Sequence, residues 1–404
     1  MTYSKNEILQ YLQEEDVKFI RLAFCDVFGK RKNISIMPEE LERAFRYGIA
    51  FDASAIPGFG EGQKSDLFLH PEPETIMALP WRPEHGKVVR MISGVSYPDG
   101  APFRSDPRYV LKEAMAQAKA KGLVFYFGAE QEFYLFRLDE DGNPTRVPCD
   151  TAGYMDIAPE DRGENVRREI CLTLEQMGLR PESSHHEEGP GQNEIDFRYA
   201  DALTAADQAM VFQTVVKTIA HRNGYHADFS AKPLENAAGN GFHINMSVQP
   251  CDDEAFRSMI AGVLDKIREM TVFLNPTENS YLRLGKNKAP GFISWSRENR
   301  SQLVRIPAAF GEYRRLELRS PDPAANPYLA FALLIRAAME GIERKTELPP
   351  AADLNLFTAD EKTLSRYQRL PETLAEAKRA ARDSAFIRAH LPESVIGAYC
   401  GENG

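Results

Sequence analysis

Residues Phe125–Leu138 read FYFGAEQEFYLFRL. Aromatic and leucine side chains run through this stretch, which suits a strand. Residues two apart on a strand share a face, so Glu130 and Glu132 project together while Gln131 turns away. Two like charges side by side repel, and at least one carboxyl must then hold its proton more tightly. An outward-facing acidic strand is the plain alternative. The Phe, Tyr and Leu flanks argue instead for a buried strand, and buried paired carboxylates need compensating positive charge.

Three further segments offer partners. Ser184–Asp196, SHHEEGPGQNEID, gathers His185, His186, Glu187, Glu188, Glu194 and Asp196 around a Gly-Pro-Gly turn. Charge-rich stretches are usually solvated loops, so this one gains meaning only beside the acidic strand. Asn236–Ser247, NAAGNGFHINMS, has glycines that let backbone approach a ligand, and an extended end puts His243 and Asn245 on one face. Arg314–Asp322, RRLELRSPD, alternates Arg315, Glu317 and Arg319. A carboxylate between two guanidiniums suits a metal-bound polyphosphate, and equally a plain salt-bridged strand. Each signal alone is weak; the four together are not.

The chain of 404 residues is 43% hydrophobic and 27% charged, ordinary globular composition for a large core or two domains. A net charge of −10 argues against nucleic acid or an anionic membrane as the main partner. The opening MTYSKNEILQYLQEED lacks the apolar core of a signal peptide, and the most apolar run, Tyr328–Ile335, is too short to span a bilayer. Five scattered cysteines without a CxxC pair suit a reducing cytoplasm. The first hundred residues predict a helix, a strand in which Ile20, Leu22 and Phe24 alternate with Arg21, Ala23 and Cys25, and a Phe-Gly-Lys turn into a second strand. Val95–Tyr109, rich in Pro and Gly, reads as a linker. Beyond it, amphipathic helices are expected over Asn165–Met177 and Ala205–Asn223. The reading is α+β, with a small N-terminal domain over residues 1–100 and a larger one over 101–404.

Taken in chain order, FDASAIPGF, GAEQEFYLF, SHHEEGPGQNEIDF, AKPLENAAGNGFHINMS, NPTENSYLRL, WSRENRSQLVRIP and RRLELRSPDPAANPYLA resemble the glutamine synthetase family of the bacterial type over nearly the whole length. The resemblance implies a β-grasp N-terminal domain and a catalytic domain whose antiparallel sheet carries the ligands of two divalent ions, Mg²⁺ or Mn²⁺. Glu132, Glu187 and Glu194 match one site; Glu130, His243 and Glu317 match the other. It implies ATP as co-substrate, phosphorylation of the γ-carboxylate of glutamate, and displacement of that phosphate by an amine. Arg300 and Arg305 match phosphate-contacting arginines, Arg315 lies near the nucleotide, and Asn245 and Ser247 fall on its side. Arg283, Arg319 and Gly239 match positions that hold the amino acid. Asp52 matches the acid that takes the acceptor's proton, delivered from a neighbouring subunit, and Tyr154 matches another residue of that pocket. The implied assembly is a homo-oligomeric ring, hexamer or dodecamer. The ending AYCGENG leads to the expectation of a single hexameric ring.

Two pocket features depart from the family pattern. Ala55 stands where FDGSSI has a serine. The flap Arg283–Pro290, RLGKNKAP, is one residue short, with Lys288 where a glutamate is expected. Opposite charges 4 Å apart attract by roughly 4 kcal/mol at an effective dielectric of 20, and a reversed sign repels as much. Ammonium capture is therefore expected to suffer, and an alkylamine, polyamine or amino alcohol is an alternative acceptor. Glu298 is a candidate stand-in for the missing carboxylate. The competing reading is a metal- and nucleotide-binding regulatory relative with little catalysis.

Overall fold

The computed structural model describes residues 4–60, 65–82, 85–309 and 314–401; the last three residues of the AYCGENG ending lie outside it. Helix Lys5–Glu14, closed by a Ser4–Glu7 capping box, leads into strand Val17–Cys25. The turn after that strand needs Gly29 at φ 77°, and Arg31–Ile36 returns antiparallel. Val17–Cys25 also pairs in parallel with Lys87–Ser96, which continues to Asp66–Pro71 and Ile49–Asp52. This mixed sheet, with helix Leu41–Tyr47 in the connection, is a β-grasp arrangement. Ile20 and Leu22 are buried as the alternation predicts. Phe24 is not: the inward side switches, and Cys25 takes the buried position.

The Pro/Gly-rich stretch is more structured than a linker. Tyr97 donates to Ala101 and Phe103 to Val95, while the Phe103 ring packs 5.0 Å from Phe59. Asp106 then caps helix Pro107–Ala120.

Strand Val124–Leu138 is the axis of a ten-stranded sheet. Phe242–Gln249 and Gln192–Phe197 flank it antiparallel, and Leu316–Leu318 and Val304–Ile306 extend the sheet beyond Phe242–Gln249. One face packs on helices. There Phe127 stacks on Phe331 of helix Pro327–Arg344 (4.2 Å, 12°), Phe242 lies 6.2 Å from the same ring, and Phe133 meets Phe212 of helix Ala202–Arg222. Helix Glu164–Gln176 and helix Ala202–Arg222 occupy the two regions where helical spacing placed them. Because odd-numbered residues of Val124–Leu138 turn to the helices, the even-numbered ones, Glu130 and Glu132 among them, turn to the opposite face.

Candidate active site

That opposite face is assembled by strand register. Glu130 lies directly across from His243 on one neighbour and Asp196 on the other. Glu132 lies across from Glu194, and Glu194 across from His185. Glu317 lies across from Asn245 and from Arg305. Directly opposed side chains have Cβ atoms about 5 Å apart, so six strands bring their polar residues into one patch. Their alternate residues, Ile195, Phe242, Ile244, Leu316 and Leu318, are all buried on the helix-packed face. Apolar burial thus fixes the parity that presents the carboxylates.

Three ligand groups result, each with donor atoms within 4.8 Å of one another: Glu130, His243 and Glu317; Glu132, Glu194 and His243; and His185, Glu187 and Glu194. Glu187 is held to His185 Nε2 at 3.1 Å and accepts the Glu188 amide, so Glu194 is what connects it to Glu132. A fourth group joins Glu130 and Glu194 to Asp196, to which the sequence reading gave no role. The signal was available: Asp196 follows Glu194 by two on a strand.

The electrostatics divide the patch. Burial, reinforced by the charges of Glu132, Asp196, Glu130 and Glu187, raises the Glu194 carboxyl well above the ordinary range. Burial and Glu130 raise Asp196 likewise. Glu317 is the opposite case. Burial works against its charge, but Arg319, His243 and Arg305 outweigh this and hold it down to about 2. Arg319 Nη1 reaches it at 2.5 Å, and Arg305 pairs with its other oxygen. Burial opposes the Glu187 charge as well, yet the His185 hydrogen bond and the Glu188 amide keep its carboxyl below the usual value.

Around this core, Gln192 Nε2 donates to Glu132 at 3.1 Å, and Glu132 also accepts the Gly241 amide at 2.8 Å. The Gly-Pro-Gly turn passes so close to Tyr134 that a Cβ on Gly189 would fall 1.9 Å from the tyrosine hydroxyl. Gly239 offers its carbonyl to Gln192. Arg283 is buried beside it and donates to the carbonyls of Ser320 and Arg319. Arg315 binds Asn245 at 2.9 Å, and Asn245 binds Glu130 at 2.6 Å. With Ser247, these residues line a cavity of about 860 Å³ that also reaches Arg180, Arg198 and Tyr126.

His186 lies in a separate buried network, 3.0 Å from Asp150. Arg300 is exposed and touches the site through its carbonyl, which accepts from Arg319. Tyr154, half exposed, meets the His185 ring edge-on at 5.5 Å. Asp52 stands in the small domain and binds Ser54. Lys288 takes a left-handed conformation, φ 68°, and pairs with Glu188 at 2.9 Å. Asn287 beside it holds the Ala237 carbonyl, so the flap is tied to both loops that flank the carboxylates. Glu298 is exposed on the outer edge.

Two family models cover the chain: the glutamine synthetase β-grasp domain over residues 16–98, and the glutamine synthetase catalytic domain over 104–402. The chain belongs to the glutamine synthetase family. It is 44% identical to the glutamine synthetase of Methanosarcina mazei over 412 residues, covering 98% of this chain and 92% of that one. It is 44% identical to the glutamine synthetase of Clostridium saccharobutylicum, covering 98% and 93%. Among solved structures, a GmaS/ADP complex superposes with TM-score 0.88 at 29% identity, covering 99% of this chain and 94% of that one. GmaS without ligand gives 0.88 at 30%. As a member of this family the chain is an ATP-dependent ligase that makes γ-glutamyl amides. Glutamine synthetases use ATP and divalent metal ions, and this chain's donors fit such ions: hard carboxylate oxygens, one imidazole, and buried carboxyls whose mutual repulsion a cation would relieve. Among the described residues, no helix is long and apolar enough to cross a membrane.

Proposed function

We propose that this member of the glutamine synthetase family joins the γ-carboxylate of glutamate to an amine through γ-glutamyl phosphate, with two divalent ions per active site. The observation that carries this reading is the register-built patch in which Glu194 and Glu317 stand at opposite electrostatic extremes, Glu317 between Arg305 and Arg319. Glu132, Glu187 and Glu194 would hold one ion, and Glu130, His243 and Glu317 the other. Such ions, when bound, neutralise the phosphoryl oxygens. Mg²⁺ and Mn²⁺ both suit the donors.

The protein's own part is positioning. Phosphoryl transfer asks for orientation and charge stabilisation more than covalent help. Arg300 and Arg305 are placed here as the phosphate-holding residues, Arg315, Asn245 and Ser247 as nucleotide contacts, and Arg283, Arg319, Gly239 and Tyr154 as contacts to the amino acid and its acceptor. Arg305 and Arg319 already flank Glu317, so either guanidinium can meet a phosphate or carboxylate beside it without a large movement. Asp52, ionised and exposed, receives the acceptor's proton in the site of a neighbouring subunit of a ring.

The acceptor is the part of the site that departs from the family pattern. Lys288 is turned onto Glu188 rather than into the pocket, which neutralises its charge; at 58% and 42% exposure that pair is worth at most about 1 kcal/mol. Ammonium is thus less repelled than the sequence alone suggests, but it still lacks the flap carboxylate that would attract it. We expect ammonia to be used with a high KM and a small alkylamine to compete well. Steady-state phosphate release with ATP and glutamate, across ammonia and a series of amines, on wild type and Lys288→Glu, checks this. Ordinary ammonia efficiency in the wild type with no gain in Lys288→Glu would overturn the altered acceptor. Failure to release phosphate with any acceptor would overturn the ligase reading and leave a regulatory relative.

A further inference from the structure

Away from the active site, the β-grasp sheet and helix Ala202–Arg222 enclose a cavity of about 110 Å³. The sheet contributes Arg21, Arg31 and Arg90, Trp81 lies beside them, and Met210 and Thr214 close it from the helix. Arg21 and Arg90 are directly opposed in the parallel pairing of Val17–Cys25 with Lys87–Ser96. Like charges across a strand pair destabilise a sheet, so a second cation at this position needs a reason. Among the described residues, none of the three arginines forms an ion pair. Arg31 donates only to neutral oxygens, the Met210 carbonyl and Gln213 Oε1 at 3.1 Å. Among the described residues, the buried Nε of Arg90 has no hydrogen-bond partner. The neighbouring carboxylates are committed elsewhere: Asp207 to Arg108 at 2.9 and 3.0 Å and to the Tyr328 hydroxyl, Asp26 to Lys32. An orphaned buried donor costs about 1–3 kcal/mol, and more when it is charged.

We infer that this cavity is a binding site for a compact oxyanion of charge −2 or greater, of the inorganic phosphate class. Guanidinium forks match tetrahedral oxyanions and supply several N–H donors to one ion. The size agrees: a water occupies about 30 Å³ of liquid, so a cavity of about 110 Å³ accepts a group of a few heavy atoms. Since its walls come from both parts of the chain, an anion there would pin the β-grasp sheet to the helix that packs behind the catalytic strands.

Trp81 and Trp295 are the only tryptophans. Trp295 is buried with its indole N–H on the Pro349 carbonyl and does not line this cavity, so Trp81 fluorescence is a local reporter. The test is titration of the full-length protein with sodium phosphate at constant ionic strength, read by Trp81 fluorescence and by Tm. Wild type, Arg90→Met and Arg21→Gln are compared, with succinate and chloride as control anions. Saturable fluorescence change and a rise in Tm are expected in wild type, with affinity at least tenfold weaker in both variants. Without phosphate, Arg90→Met is expected to melt no lower than wild type, since it deletes an unpaired buried charge. Phosphate held by the active-site arginines would persist in both variants and leave Trp81 unchanged, so only the component lost with Arg90 or Arg21 counts. Equal responses in all three proteins would overturn the site. Chloride matching phosphate would reduce the effect to screening and overturn it as well. Tighter binding of succinate than of phosphate would overturn the compact-anion assignment.

Discussion

Glu132 and Glu317 sit on the same sheet face yet answer opposite electrostatic needs. Glu132 is one of the carboxylates that raise Glu194, whereas Glu317 is the anion that holds Arg305, Arg319 and His243 together. Glu132→Gln and Glu317→Gln are both expected to lose turnover by ~10²-fold or more, the scale of removing one preorganised charge. Their stabilities should diverge. Glu132→Gln relieves repulsion and should melt at or above wild type, while Glu317→Gln strands buried cations and should cost ~3–5 kcal/mol in urea denaturation. A second residue gives a pH prediction clear of the site. Asp106 caps helix Pro107–Ala120, and burial raises its carboxyl from 3.8 to about 6. A raised carboxyl pKa means that the folded state holds the proton more tightly, so its contribution is full below pH 3.8 and lost as pH rises through 6. Relative to Asp106→Asn, wild type should lose about 3 kcal/mol in all as pH rises from below 3.8 to above 6, roughly 2 kcal/mol of it between pH 4 and 6.5. Thermal melts of both proteins across that range check the slope; a difference that stays flat refutes it.

The helix Pro327–Arg344 shows how an element far from the chemistry sets its geometry. Its Phe331 supports both Phe127 and Phe242, one on each of the two strands that oppose Glu130 to His243. The helix is held there by helix Asp253–Leu274, which it meets at two glycines. A Cβ on Gly341 would lie 2.2 Å from the Ser258 carbonyl and 2.7 Å from Gly262 Cα. Gly341→Ala is therefore expected to cost about 1–3 kcal/mol by overpacking. Its diagnostic is a fall in stability together with weakened Mn²⁺ binding, measured by calorimetry, because a shifted helix moves the strands that place the ligands. Lost stability with unchanged metal affinity would show that the sheet keeps its register independently.

At the scale of the whole molecule, Asp52 stands in the small domain and bonds to Ser54, and among the described residues no hydrogen bond or ion pair joins it to its own chain's carboxylate patch. If sites are shared between neighbours in a ring, two inactive variants should rescue each other. Asp52→Ala and Glu132→Gln, unfolded together and reassembled, are expected to regain up to about a quarter of wild-type activity, the fraction of interfaces pairing one intact half from each. No recovery above either variant alone, with mixed rings confirmed by mass measurement, would refute the shared site.

Face parity was legible in the sequence, because side-chain alternation on a strand is local: EQE, NEID, HIN and RLELR each carry their polar residues at a spacing of two. So were the glycine-bounded helices and the family resemblance, which rest on short contiguous motifs. Which strands are neighbours, and in what register, was not legible, because that is settled by distant apolar groups such as Phe331, Ile195 and Leu318 packing behind the sheet. Register alone set Asp196 opposite Glu130 and gave it a place beside the ligands, and register alone opposed Arg21 to Arg90. The Lys288 sign change was read from sequence, but its partner Glu188 lies 100 residues earlier on another loop. Local chemistry fixed what each residue could offer; long-range packing decided what it met.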